Sequence, residues 1–462
     1  MSCTSSAKVY RKSVGLDYRR PEGKPMTNLE NLKIKLTQEE QDILQGKQGP
    51  TMQKVMKSVV LYGEALGAER LVDIEGNGHF VITYAIPGIA PPMEMLEELV
   101  VAGLKTQYPF TLDPKPPLDF ENWWLSSEQV QILEQMYQDQ GRYDERMRQL
   151  GLRDPDDCTC TPYLTEVGNI PKRGNILAWS ESACAIFANS VLGARTNKNG
   201  AIMDLLSNIV GKTPLAGLLT DEGRRATWLI EVNTEKLPLP QLLGAAIGRK
   251  ILADVPFIVG LDRFLGSGLN IETRDYLHEM GAACATAGAV GLFHVENITP
   301  EAIDYGRNLL VPNHKTYCIN DQQLRDLLAS YPVMWADKGA KPDKCFIGCP
   351  HLSLQQLYWW TEKIHSTLQA KGRRQLPVKT TICAAPQVLK EFKSDAKARE
   401  KLESAGVKLS VGCSMQLFDN DLSAGEAIVT NSNKLRAYTT ARFFPDEELV
   451  EILARGEIKG GS

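Results

Sequence analysis

Apolar residues recur at helical intervals through Met52–Leu66, inside a stretch from about Leu36 to Gly67 that reads as helical. Thr37 precedes Glu40 by three residues, the spacing of a capping box. Two strand-like runs follow, Leu71-Val72-Asp73-Ile74 and His79-Phe80-Val81-Ile82-Thr83-Tyr84. The proline-rich loop Pro87–Pro92 then launches a helix through Met93–Leu99. A second proline-dense loop, Asp113–Asp119, leads to Trp123-Trp124, and Ser127–Leu150 has the pattern of one long charged amphipathic helix. Asp154–Arg173 has turn residues, prolines and no periodicity, so it reads as a long irregular loop of the kind that carries function. A helix is expected over Ser182–Leu192, stopped near Gly193.

From Thr227 onward short β-rich runs alternate with helical ones. The strands are Trp228–Val232, Phe257–Val259, Val290–His294, Cys345–Ile347, Val378–Thr381 and Ala427–Thr430; helices are expected at Glu272–Cys284, Leu352–Leu368 and Pro386–Phe392. Alternation of this kind predicts α/β architecture with mainly parallel sheets. Pro332–Pro342 is the best candidate for a boundary between lobes.

A chain of 462 residues can bury two or three cores. Its net charge of −4 implies no general attraction to nucleic acid or to an anionic membrane, and no apolar run reaches transmembrane length. Residues 1–35 read as a disordered extension, and the first of them lack the apolar centre of a signal peptide. A cytoplasmic location is therefore expected, with most of the ten cysteines reduced. Cys184 and Cys284 fall in apolar helical patterns and read as small buried hydrophobes; Cys318 and Cys345 read as structural too.

Three short cysteine motifs stand apart: Cys158-Thr-Cys160-Thr-Pro-Tyr163, Gly348-Cys349-Pro-His351 and Val411-Gly-Cys413-Ser414. Cys349 and Cys413 each follow a strand-like run, and in open α/β sheets the carboxyl ends of strands face the ligand crevice. Thiolates from three separate loops can hold an iron–sulfur cluster and leave one iron free to act as a Lewis acid. Two other accounts fit the spacing: unrelated buried thiols, or a zinc site using His351, although no second CxxC is present.

Around Trp179-Ser180-Glu181-Ser182 a serine is a natural N-cap for the next helix, and the free N–H groups there favour a carboxylate. Arg195 either forks onto an anion or serves as a solvated cation after the helix. Thr430–Lys434 reads as a strand-to-helix turn that offers hydroxyls and an ammonium. Gly211-Lys212-Thr213 is not a phosphate loop, because Leu206 stands where the partner glycine belongs.

Taken in order, Cys160-Thr-Pro-Tyr163, Trp179–Ser182, Asn189–Asn197, Leu292-Phe-His294, Gly348–His351 and Thr430-Asn-Ser432 with Lys434 closely resemble the large, catalytic part of aconitase X, a branch of the aconitase superfamily. The likeness runs from about Leu36 to Leu453. It implies an aconitase-like, multi-lobed, three-layer α/β fold over residues 36–462 and a hydro-lyase reaction. It also implies an iron–sulfur cluster held by Cys160, Cys349 and Cys413, with Glu181, Ser182 and Lys434 orienting substrate. His79, Thr83, Asp113 and Arg195 are further substrate-binding candidates.

Two departures bear on substrate identity: Asp113-Pro114 stands where the family often has Asn-Pro, and Gly78–Thr83 lacks the family's serine-rich pattern. The superfamily's small swivelling domain has no counterpart before Ser462, so the resemblance implies a separate small subunit and a heterodimer. The expected activity is dehydration of a small hydroxy acid, cis-3-hydroxy-L-proline first and mevalonate 5-phosphate second. A metal-binding subunit without catalysis is the reading from another class.

Overall fold

The computed structural model describes residues 32–82, 93–418 and 425–458. Its largest sheet has five parallel strands in the order Val407–Ser410, Lys379–Ala384, Lys344–Leu352, Ile428–Thr430 and Arg442–Phe443. A second sheet has four parallel strands, His294–Val295, Pro256–Val259, Ala226–Asn233 and Leu310–Asn320. Two small sheets complete the amino-terminal region. Gly78–Phe80 runs parallel to Phe110–Leu112, and Leu71–Asp73 runs antiparallel to Lys212–Pro214. Each region buries its own apolar cluster. Val59, Phe80, Phe110 and Met147 lie in the first, Ile230, Leu243, Met280 and Phe293 in the second, and Ile347, Trp360, Ile382 and Leu449 in the third.

The strand–helix alternation predicted these parallel sheets, and the exceptions have local causes. Leu36–Gly67 is two helices, Gln38–Leu44 and Pro50–Ala65. The first begins with the capping box of Thr37 and Glu40, and the second opens on Pro50. Ser127–Leu150 is likewise two helices, Ser127–Met136 and Gln140–Leu150, because the chain leaves helical geometry at Tyr137 and Asp139. The second small strand ends at Phe80, short of the predicted run; Thr83 and Tyr84 lie outside the described residues. Ile34, within the segment read as an extension, is buried, and Lys35 bridges to Arg70.

The ends of the large sheet's strands are shaped by two glycines. At Gly348 the backbone has φ +97°, and a Cβ there would meet the Cys383 carbonyl oxygen at 2.2 Å. The ladder to Lys379–Ala384 jumps from Ile347–Ile382 to Leu352–Ala384, so residues 348–351 bulge out of register and carry Cys349 and His351 with them. Gly412 plays the matching part beside Val407–Ser410. A Cβ there would meet the Trp123 ring at 2.8 Å and the Pro117 Cα at 3.0 Å.

Candidate active site

The three cysteine loops meet around His351. Its backbone N–H donates to Cys160 Sγ at 3.2 Å, its Nδ1 bonds Thr159 Oγ1 at 3.0 Å, and its Nε2 lies 3.4 Å from the Gly412 carbonyl oxygen. The hydroxyls of Ser432 and Ser414 hydrogen-bond to Cys349, which ties that sulfur to the residue after Cys413 and to the Thr430–Lys434 turn. The Cys413 N–H donates to the Lys115 carbonyl at 3.0 Å. All three sulfur-bearing residues are partly exposed, whereas Cys158, Cys184, Cys284, Cys345 and Cys383 are buried. Burial holds the Cys160 thiol well above its usual range, and the charges of Asp113 and Glu181 push the same way.

The described side chains do not form a ligand set for a single ion. Among the described residues no three His, Cys, Asp or Glu side chains converge as one ion's ligands. A lone zinc needs sulfurs about 2.3 Å from one centre, whereas a cluster spaces its ligands farther apart. His351 has both ring nitrogens engaged and is a brace between loops rather than a free ligand.

Beside the cysteines lies a buried ion pair. Lys434 Nζ donates to Glu181 Oε1 at 2.7 Å, with the two side chains 15% and 2% exposed. Glu181, not a serine, is the N-cap of the helix Ser182–Ser190: its Oε2 accepts from the Cys184 N–H at 2.6 Å. Ser182 is the first helical residue and donates to Glu181 Oε1 at 3.2 Å; Ser180 Oγ instead accepts from the Val81 N–H at 2.9 Å. Burial would raise the Glu181 pKa, but the Lys434 charge and hydrogen bond outweigh it and bring it to about 2. Burial alone would lower Lys434, yet Glu181 holds it well above the ordinary lysine value.

Asp113 has the opposite environment. Burial and the Glu181 charge raise its pKa well above the usual carboxylate range, and its Oδ1 is buried without a hydrogen-bond partner. His79 Nε2 lies 3.8 Å from that oxygen and 3.3 Å from Cys184 Sγ, while Nδ1 is 2.9 Å from Thr111 Oγ1. Burial lowers His79 to about 4, so the ring is neutral at pH 7. One arrangement of protons satisfies the chain: Thr111 donates to Nδ1, Nε2–H donates to Cys184, and the Cys184 thiol donates to the Cys160 carbonyl at 3.0 Å. Cys184 is therefore part of the site's hydrogen-bond network and more than a core filler.

Arg195 points its fork elsewhere. Nη1 donates to the Leu219 carbonyl at 2.9 Å and Nη2 pairs with Asp221 at 2.5 Å. The cation that sequence reasoning missed is Lys198. It has φ +55°, a left-handed conformation rare outside glycine, and its neighbours Asn197 and Asn199 pin the backbone by side-chain bonds to Ala216, Leu218 and Asp204. Burial lowers the Lys198 pKa, Glu181 raises it and Lys434 lowers it, which puts the ammonium within electrostatic reach of that pair. The only signal in the sequence was its place directly after Arg195-Thr-Asn197.

Residues 33–222 match the model for the aconitase X first domain and residues 226–329 that for the aconitase X second domain. The chain belongs to the aconitase X family. A crystal structure of aconitase X from Thermococcus kodakaraensis in its holo form superposes with a TM-score of 0.74 at 30% identity, covering 90% of this chain and 99% of that one. The phosphomevalonate dehydratase large subunit of Thermococcus kodakarensis is 34% identical over 73% of this chain and 78% of its own. Its counterpart in Methanocaldococcus jannaschii is 30% identical over 87% and 94%. The cis-3-hydroxy-L-proline dehydratase of Pseudomonas aeruginosa is 28% identical over 86% of this chain but 65% of its own length.

As a member of this family the chain is a dehydratase, a carbon–oxygen lyase, built as an α/β protein with mainly parallel sheets. Its family is related to the aconitase-like iron–sulfur dehydratases. The archaeal relatives are named large subunits, which implies a small-subunit partner for them. No described helix is long and apolar enough to cross a membrane.

Proposed function

We propose that the chain is the large subunit of a phosphomevalonate dehydratase. The observation that carries this reading is Lys198. With Lys434 neutralised by Glu181 at 2.7 Å, Lys198 is a second ammonium near the site with no ion pair among the described residues, suited to a substrate with a second anionic end. A phosphorylated hydroxy acid has such an end; cis-3-hydroxy-L-proline, whose other charge is positive, does not. The Thermococcus and Methanocaldococcus phosphomevalonate subunits, at 34% and 30% identity, are more similar to this chain than the two hydroxyproline dehydratases, at 28% and 26%, and this chain spans more of their length.

Cys160, Cys349 and Cys413 would hold an iron–sulfur cluster, which would supply a Lewis-acidic iron to the departing hydroxyl. The chain's own groups do the positioning. Glu181, saturated by Lys434, Ser182 and the Cys184 N–H, stays ionised and keeps Lys434 fixed. Burial and the Glu181 charge bias Asp113 toward its protonated form, which can donate a hydrogen bond to a substrate carboxylate or hydroxyl. Neutral His79 presents no charge that would compete for the substrate. The base that takes the proton beside the carboxylate is assigned to the small, swivelling partner subunit.

The test is co-expression with that partner and a dehydration assay on both compounds. Turnover of phosphomevalonate supports the reading. Turnover of cis-3-hydroxy-L-proline in its place returns the assignment to the hydroxyproline branch. A colourless, zinc-loaded and inactive complex would show a structural subunit.

A further inference from the structure

A cavity of about 680 Å³ opens where the Tyr163–Ile170 loop meets the first turns of the helices Ile271–Gly288 and Leu354–Ala370. Its volume lies within the range of small-molecule pockets. Tyr163 and His278, 6% and 3% exposed, both line it. The Tyr163 hydroxyl and both ring nitrogens of His278 are buried without a hydrogen-bond partner. Leaving three polar atoms so costs free energy unless something supplies their bonds. The two rings meet edge to face with centroids 5.7 Å apart, and Phe187 stacks on Tyr163 at 3.9 Å, so the polar groups are set in aromatic surroundings.

The pocket carries both signs of charge. Arg274, exposed and without an ion pair among the described residues, stands on one wall. Glu166 and Asp275 stand beside it, and Ser353 Oγ donates to Asp275 Oδ2 at 2.8 Å. Leu164, Ile170, Leu354 and Tyr358 complete an apolar lining. A simple anion would meet Arg274 but also the two carboxylates; a simple cation would face the reverse conflict. A zwitterion satisfies both signs at once.

We propose that this pocket binds a free α-amino acid with an aromatic side chain. The carboxylate is held by Arg274 and the ammonium by Glu166 and Asp275. The ring lies among Phe187, Tyr358 and Leu164, and a ring hydroxyl reaches His278 and Tyr163. Because Tyr163 lies three residues from Cys160 on the same loop, an occupant there bears on the segment that carries the sulfur.

The test is isothermal titration calorimetry and saturation-transfer NMR on the full chain with L-tyrosine, L-phenylalanine, phenethylamine and 3-phenylpropionate. Both amino acids should bind saturably, L-tyrosine the tighter. The compounds lacking one charge should bind about tenfold or more weakly, since each loses a charged hydrogen bond. Arg274 is exposed and Glu166 half-buried, and neither has an ion pair among the described residues to lose; Arg274→Gln and Glu166→Gln should each weaken L-phenylalanine about tenfold. Tyr163→Phe should erase the advantage of L-tyrosine over L-phenylalanine. Absence of saturable binding by roughly 10 mM, equal binding of phenethylamine or 3-phenylpropionate, or unchanged affinity in Arg274→Gln would overturn the proposal.

Discussion

Replacing Lys434 with methionine keeps the length of the side chain and removes its charge. Glu181 is then left 2% exposed without its ion-pair partner, holding only its bonds from Ser182 and the Cys184 N–H. Breaking a buried pair from one side costs about 3–5 kcal/mol. With a urea dependence of about 3 kcal/mol per molar, that is a midpoint shift of about 1 M or more. The loss should depend on pH with a definite sign. In the native chain the Glu181 pKa falls from the ordinary 4.5 to about 2, so its stabilisation is present above pH 4.5 and is lost as pH falls toward 2. In Lys434→Met burial dominates and the carboxyl takes up a proton, so the penalty should shrink as pH drops toward 5. The double variant Glu181→Gln/Lys434→Met buries no charge and should recover most of the loss. Urea titrations followed by tryptophan fluorescence at pH 5 and pH 8 give all four corners of the cycle. A single-variant cost under about 1 kcal/mol, or a double variant equal to the sum of the singles, would refute the argument that this pair is a coupled buried unit.

Other outcomes follow from the same geometry. Cys413→Ala should abolish both iron–sulfur absorbance and turnover, and retained dehydration would remove that sulfur from the site. Lys198→Met should raise KM for phosphomevalonate about tenfold or more with a smaller change in kcat; an unchanged KM would separate Lys198 from the phosphate. Arg195→Gln should leave KM unaltered, because its fork is spent on Leu219 and Asp221. Asp204 is buried with its pKa raised to about 7 by burial. Native stability should therefore fall as pH rises from about 4 to 7. Asp204→Asn should flatten that slope and gain at least roughly 1 kcal/mol at pH 8 but not at pH 4, as read by urea midpoints.

Local signals marked much of this molecule. The Thr37–Glu40 box starts its helix where the spacing says, and the strand-then-cysteine pattern corresponds to the turn after Val407–Ser410 at Cys413 but to a bulge within Lys344–Leu352 at Cys349. What was not legible depends on distant partners. Periodicity carried Ser127–Leu150 across a break because both halves share an amphipathic stripe. At the helix start after Trp179, propensity favours serine as the cap. Glu181 takes the position because Lys434, far along the chain, neutralises it there. Cys184 looked like core because its helix is apolar, and its bonds to His79 and Cys160 come from other loops. Arg195 and Lys198 are three residues apart, and only the fold separates the one clamped to Asp221 from the one that feels the Glu181 charge.

His351 fastens the Thr159–Cys160 loop by its main-chain N–H and ring Nδ1 and the Gly412 loop by Nε2, using only protein atoms. The polypeptide can therefore shape its sulfur-lined cradle before any inorganic core arrives. On the proposed reading, maturation would be a loading event on a finished scaffold, and a chain stripped of iron should stay folded and ready to be refilled.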